Sequence, residues 1–179
     1  MISDFFARVP AESGMAYVVI LHLSPDHDSQ LASVLQSATS MPVTQVKRRA
    51  RVVPDHVYVI PPNKSLESKD GYLEVSNGTS IEVRRAPVDI FFRTLAESHR
   101  ERAVAVVLSG TGTNGSMGLK RVKERGGCAI VPDPQEAEYG DMPRHSLRAR
   151  RGTATPRDNH LHARELARRR ASAAGDGRL

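Results

Sequence analysis

One unit in the second half of the chain most constrains what this sequence can fold into. It consists of an apolar run at 103–108 (AVAVVL), the segment SGTGTNGS, a stretch at 117–125 with Leu119 and Val122 at helical spacing, and a second apolar run at 128–131 (CAIV). Continuous β-branched runs are typical of strands that are buried on both faces of a parallel sheet. Strand, glycine turn, helix and strand in this order form a βαβ unit, so the sequence predicts an α/β fold.

The first half of the chain supports the same fold class. Residues 16–23 (AYVVILHL) form another apolar run that predicts a buried strand. The other predicted elements are a helix over 30–37, strands over 42–46 and 56–60, a hairpin over 66–76 around Asp70-Gly71, and a helix over 88–99. We therefore expect a doubly wound, mostly parallel sheet with flanking helices and a small β-hairpin. A basic run, Lys47, Arg48, Arg49 and Arg51, is expected on a solvated loop.

Charge divides the chain into two parts. Residues 1–144 hold 17 basic and 17 acidic residues, whereas residues 145–179 hold nine Arg and three acidic residues, which supplies the whole net charge of +6. The basic end contains no Val, Ile, Phe or Tyr. We expect a globular domain over 1–147 and a basic Arg/Ala-rich tail over 148–179, helical over 161–170 after the cap Asn159 and disordered beyond. Because the tail lacks aromatic residues for base stacking, nucleic acid is not an expected partner.

Composition excludes several other classes of protein and of binding site. A single cysteine, Cys128, excludes a disulfide scaffold and a cysteine zinc site, and it suits a reducing, cytoplasmic compartment. No apolar run approaches the roughly 20 residues of a membrane helix, so membrane insertion is not expected. His27, His56 and His99 have no second ligand at metal spacing, so we expect neither a metal nor another cofactor.

Two predicted strand ends carry the candidate site. In open α/β sheets functional residues gather at the carboxyl ends of strands. His22 follows the first buried strand, and the glycine loop with Thr111, Gly112 and Asn114 follows the strand over 103–108. The loop lacks the spacing of a nucleotide-binding fingerprint. From the residues alone, His22 is either a general base or a buried, hydrogen-bonded histidine. The loop is either a segment whose main-chain N–H groups approach a ligand or a plain tight turn.

Five segments in order carry a resemblance to a known family. They are VVILHLSPDH, HVYVIPPN, PVDIFFRTLAE, VVLSGTGTNGSMGLK and DPQEAEYGDMPRHSL. Over about residues 5–147 the chain resembles the methylesterase domain of CheB-type protein-glutamate methylesterases, particularly the version fused to a methyltransferase. The resemblance implies hydrolysis of glutamate γ-methyl esters by Ser, His and Asp. It also implies methyl-accepting chemoreceptors or another methylated protein as partners, and a methyltransferase or receiver domain as a further one.

The resemblance assigns roles to individual residues. His22 falls on the family's general base, and Asn114 stands where the family has an orienting aspartate. Thr111, Gly112 and Arg144 are expected near the substrate. Arg144 either holds the acidic loop of Asp133, Glu136 and Glu138 or faces an acidic receptor segment.

The nucleophile has no counterpart in the chain. The family's serine lies in a G-A-S/T-x-G-G turn after the first strand, and residues 1–179 contain no such segment. Ser24 and Ser109 are not in a nucleophile turn. The resemblance aligns residues 2–9 with the helix that follows the serine turn, so we expect the first strand to be missing and the chain to be inactive. The alternative function is a non-catalytic module that binds receptor or methyltransferase.

Overall fold

The computed structural model describes residues 2–21, 30–62, 64–76, 86–108, 114–133, 135 and 140–149. Of the candidate site residues, Asn114 and Arg144 lie within these ranges. His22, Ser24, Ser109, Thr111, Gly112 and the tail helix lie outside them, so the predictions for these residues stay predictions.

The predicted elements that lie in the described ranges occur in the predicted order. The helices are α1 (Ile2–Ala7), α2 (Leu31–Ala38), α3 (Pro87–His99), α4 (Ser116–Glu124) and α5 (Asp141–Ala149), with a 3-10 turn at Arg100–Arg102. The strands are β1 (Ala16–Val19), β2 (Val43–Gln45), β3 (Arg49–Arg51), β4 (His56–Val59), β5 (Ser65–Lys69), β6 (Tyr72–Ser76), β7 (Val104–Val106) and β8 (Cys128–Ile130). No helix in the described ranges combines the length and the hydropathy of a membrane span.

The apolar runs form parallel strands. β4 lies between β1 and β2 and pairs parallel with both, so that Val57 lies opposite Tyr17 and Val43. β7 and β8 form a second parallel pair, with Val104 opposite Cys128, and α4 connects them. The βαβ unit is therefore confirmed. β1 and β7 each lie at an edge of their described sheet. The expectation that the first strand of the family's sheet is missing stays a prediction.

The small antiparallel sheet contains the predicted hairpin and one strand that was not predicted. β5 and β6 pair around Asp70 and Gly71, whose φ angles of 50° and 77° match the left-handed turn that a two-residue hairpin needs. The prediction of a loop for the basic run is wrong for its second half, because Arg49–Arg51 pairs with β6 as an edge strand. Ala50 packs on the core, while Arg49 pairs with Glu74 at 3.0 Å and stacks on the Tyr72 ring. These cross-strand partners decide the conformation, and local sequence does not reveal them.

Core side chains cover both faces of the parallel sheet. On β1, Ala16 and Val18 pack with the cluster of Phe91, Phe92, Leu119 and Val122 from α3 and α4. Tyr17 and Val19 pack with the opposite cluster, which includes Phe6 of α1 and Leu35 of α2. Because successive side chains of a strand point to opposite faces, this distribution places helices on both sides of the sheet. The doubly wound arrangement is confirmed, and α3 and α4 form the layer next to the candidate site.

Candidate functional site

The amino ends of α3 and α4 meet where the glycine loop was predicted. α4 begins at Ser116, after the carboxyl end of β7. Asp89 in the first turn of α3 bonds to Gly118 in the first turn of α4, and Glu97 near the end of α3 bonds to Arg121 further along α4. The two helices therefore run in the same direction, and both amino ends lie at the carboxyl edge of the sheet.

Each helix caps the first turn of the other. The Asp89 N–H of α3 donates to Oδ1 of Asn114 at 3.2 Å, and the Gly118 N–H of α4 donates to Oδ1 of Asp89 at 2.7 Å. The first N–H groups of a helix have no partner within the helix, so these two side chains satisfy donors that would otherwise be unpaired. The Asp89 carboxylate is buried, with 9% exposure, and its negative charge faces the positive end of the α4 dipole.

Two glycines allow this close approach. A Cβ at Gly118 would lie 2.6 Å from Cβ of Phe92 and 2.8 Å from the carbonyl oxygen of Asp89, so only glycine fits. Gly115, the N-cap of α4, has φ +95° in the left-handed region that glycine favours. Its conformation and packing explain why a glycine stands at this position, and the two alternatives for the loop as a whole stay predictions.

The carboxyl ends of the helix pair are joined by ion pairs. Glu97 accepts from Arg121 at 2.7 Å and from Arg125 at 2.7 Å. Burial acts to raise the pKa of Glu97, but the hydrogen bonds from Arg121 and Arg125 outweigh it and hold the pKa below its usual value. The same carboxylate raises the pKa of Arg121. These contacts, together with the reciprocal caps, hold α3 and α4 at both ends.

Arg144 lies on α5, a helix that packs against α4. Its side chain is 60% exposed, and its recorded ion pair joins it to Asp141 of the same helix at 3.8 Å. An exposed pair of this length contributes little to stability. The structure therefore leaves Arg144 available to solvent, and its expected roles in substrate binding or loop support stay predictions.

His56 lies on β4, away from the two capped helix ends. Its Nε2 lies 2.8 Å from Oγ1 of Thr44, and its ring stacks on Tyr58 at a centroid distance of 4.5 Å. Burial lowers the pKa of His56, because desolvation disfavours the imidazolium. The described residues contain no cluster of three His, Cys, Asp or Glu side chains that could hold a metal ion.

Asp89 is the site residue that sequence reasoning missed. It follows Pro87 by two positions, and an acidic residue just after a proline at a helix start is a recognised start signal. That signal predicts a favourable charge for α3 itself. It does not reveal that the side chain bonds to α4, because 29 residues separate Asp89 from Gly118.

Comparisons with known proteins agree with this fold. The family model described as CheB methylesterase matches residues 1–162. A Leptospira interrogans protein named "Putative protein-glutamate methylesterase/protein-glutamine glutaminase" is 30% identical over 142 residues, which cover 79% of this chain and 74% of that protein. The protein-glutamate methylesterase FrzG of Myxococcus xanthus is 30% identical over 127 residues, which cover 70% of this chain and 38% of FrzG.

A solved structure shares the architecture. The catalytic domain of the Thermotoga maritima CheB methylesterase superposes with a TM-score of 0.76 at 22% sequence identity, covering 91% of this chain and 90% of that domain. This likeness confirms the α/β fold. Together with the family match over 162 residues, it confirms the resemblance drawn from the five sequence segments. The chain belongs to the CheB methylesterase family.

Proposed function

We propose that this chain is a protein-glutamate methylesterase-type domain of chemotaxis signalling in which hydrolysis of glutamate γ-methyl esters is disabled at position 114. The family match and the methylesterase names of the relatives support the reaction class. The observation that carries the proposal is the side chain of Asn114, whose Oδ1 accepts from the Asp89 N–H at 3.2 Å. The resemblance assigns this amide to the position of the family's orienting carboxylate.

The chemistry of serine esterases explains why this amide matters. In such enzymes an imidazole removes the serine proton, and a carboxylate holds the imidazole in the correct tautomer and stabilises the imidazolium. An amide carries no charge, and the oxygen of Asn114 is already bonded to α3. In a serine protease, replacing the orienting aspartate by asparagine lowers kcat by about 10⁴.

The same observation favours the second candidate, a non-catalytic binding module. Asn114 keeps the cap on α3, so the amide preserves the helix pair while it removes the charge. The proposed partner is a methyl-accepting chemoreceptor or another methylated protein, with a methyltransferase or a receiver domain as a further partner. We place this contact in the cytoplasm, because a single buried cysteine suits a reducing compartment.

Methanol release tests the proposal. The chain and its His22→Ala variant are incubated with methylated receptor, and released methanol is measured beside receptor binding to the immobilised chain. We expect binding by the chain and equal methanol release by the two proteins. Release by the chain above the His22→Ala variant would overturn the proposed loss of hydrolysis, and absence of receptor binding would overturn the binding role.

A further inference from the structure

Asn114 is followed by Gly115, a pair with a particular chemistry. The main-chain nitrogen of the following residue can attack the side-chain amide carbon of asparagine, and glycine presents no Cβ to obstruct that attack. Gly115 is the N-cap of α4, so its own N–H lies outside the helical ladder. The main-chain hydrogen bonds among the described residues include none that this N–H donates. Asn114 is half-buried, so water reaches its side chain.

The amide oxygen of Asn114 lies where a negative charge is stabilised. When the amide carbon is attacked, charge develops on Oδ1, and a donor already directed at that oxygen lowers the barrier. The Asp89 N–H is such a donor at 3.2 Å. It belongs to the first turn of α3, whose positive dipole end favours the same charge.

We propose that Asn114 deamidates spontaneously in the folded protein, and that the aspartate formed supplies a carboxylate at position 114. The assignment of that position as the orienting one rests on the proposed function; the deamidation itself does not. The Gly115 nitrogen loses its proton and bonds to Cγ, Nδ2 leaves as ammonia with a proton, and a succinimide ring results. Water then cleaves the Cγ–N bond and regenerates the main chain with aspartate in place of asparagine.

Packing favours aspartate over isoaspartate. Opening the ring on the other side would insert an extra carbon into the main chain just before α4. Gly115 packs closely on α3, where an added Cβ would lie 2.8 Å from Cγ1 of Val88, so an inserted main-chain carbon would have to displace this packing. An aspartate keeps the main-chain spacing, and its oxygen still accepts from the Asp89 N–H.

Mass spectrometry of tryptic peptides tests the inference. The intact chain is incubated near physiological pH, and the peptide of residues 103–120 is followed by its mass and by separation of aspartate from isoaspartate. A synthetic peptide of residues 103–120 in the same buffer is the matched control, because it keeps the dipeptide and lacks α3. The Asn114→Gln variant confirms the assignment, since its longer side chain cannot form the five-membered ring.

The expected result is conversion in the folded chain at a rate no more than about tenfold below that of the free peptide, a span of about 1.4 kcal/mol in barrier, with aspartate as the main product. Conversion more than about tenfold slower, or isoaspartate as the main product, would overturn the inference. Because the readout is a mass, a failure here is distinguishable from a failure of the proposed function, which is read as methanol.

Discussion

Replacing Asp89 by alanine is the most informative perturbation of the helix pair. The carboxylate accepts the Gly118 N–H at 2.7 Å and is buried, with 9% exposure. Asp89→Ala keeps the main-chain N–H that bonds to Asn114, so it removes one of the two reciprocal caps and leaves the other. The variant therefore isolates the contribution of the Asp89 side chain.

The expected loss of stability follows from two terms. A buried N–H left without an acceptor costs about 1–3 kcal/mol. Loss of a negative charge at the amino end of α4 adds about 0.3–1 kcal/mol to this loss of stability. Part of the loss is offset, because the alanine variant no longer buries a charge. We expect Asp89→Ala to lower the free energy of unfolding by about 2 kcal/mol. Asp89→Asn keeps an acceptor oxygen, so it should cost about half as much.

Urea unfolding followed by circular dichroism measures both variants against the parent chain. With a denaturant slope of about 2 kcal/mol per M, the Asp89→Ala midpoint should fall by about 1 M. A loss below about 0.5 kcal/mol for Asp89→Ala would refute the reasoning, as would equal losses for the alanine and asparagine variants. In either case the acceptor oxygen would not be what holds α4 to α3.

Three further predictions concern other contacts. Gly118→Ala places a Cβ 2.6 Å from Cβ of Phe92 and should cost about 1–3 kcal/mol in a thermal or urea melt; an unchanged stability would contradict the close packing. Because burial lowers the pKa of His56 below 6.5, the unfolded chain binds this proton more tightly, so stability should fall as pH drops through and below about 6.5. His56→Gln should reduce that slope in unfolding experiments at several pH values, and an identical slope would argue against it. Arg121→Ala should raise the pKa of Glu97 towards 4.5 in an NMR titration, and an unmoved pKa would contradict the ion pair.

The strands of the parallel sheet were predictable because their pattern is local. The apolar runs that became β1, β4, β7 and β8 need no knowledge of the rest of the chain, since strands buried on both faces are apolar throughout. β3 was not predictable, because its residues are two arginines around one alanine, and their conformation depends on Glu74 and Tyr72 of another strand.

The helix that carries Arg144 was also not predicted. Pro143 lies in its sequence and usually indicates a helix break. In the structure Pro143 lies in the first turn of α5, where the missing N–H costs no hydrogen bond, and its side chain is fully buried.

Only part of the candidate site could be predicted from the sequence. Asn114 was identified through the resemblance, by its place before the last glycine of the loop. Its partner Asp89 was not, since a hydrogen bond between residues 25 positions apart leaves no periodic pattern. Reciprocal capping depends on how two helices pack, and this packing is a property of the folded chain.

The most direct test of the central claim is the ratio of two rates of methanol release from methylated receptor, that of the 179-residue chain over that of its His22→Ala variant. For freshly purified chain that still has asparagine at position 114, the account predicts a ratio of one, because this amide provides no charge for an imidazolium. A ratio clearly above one would show that the chain is a working methylesterase and would contradict the account.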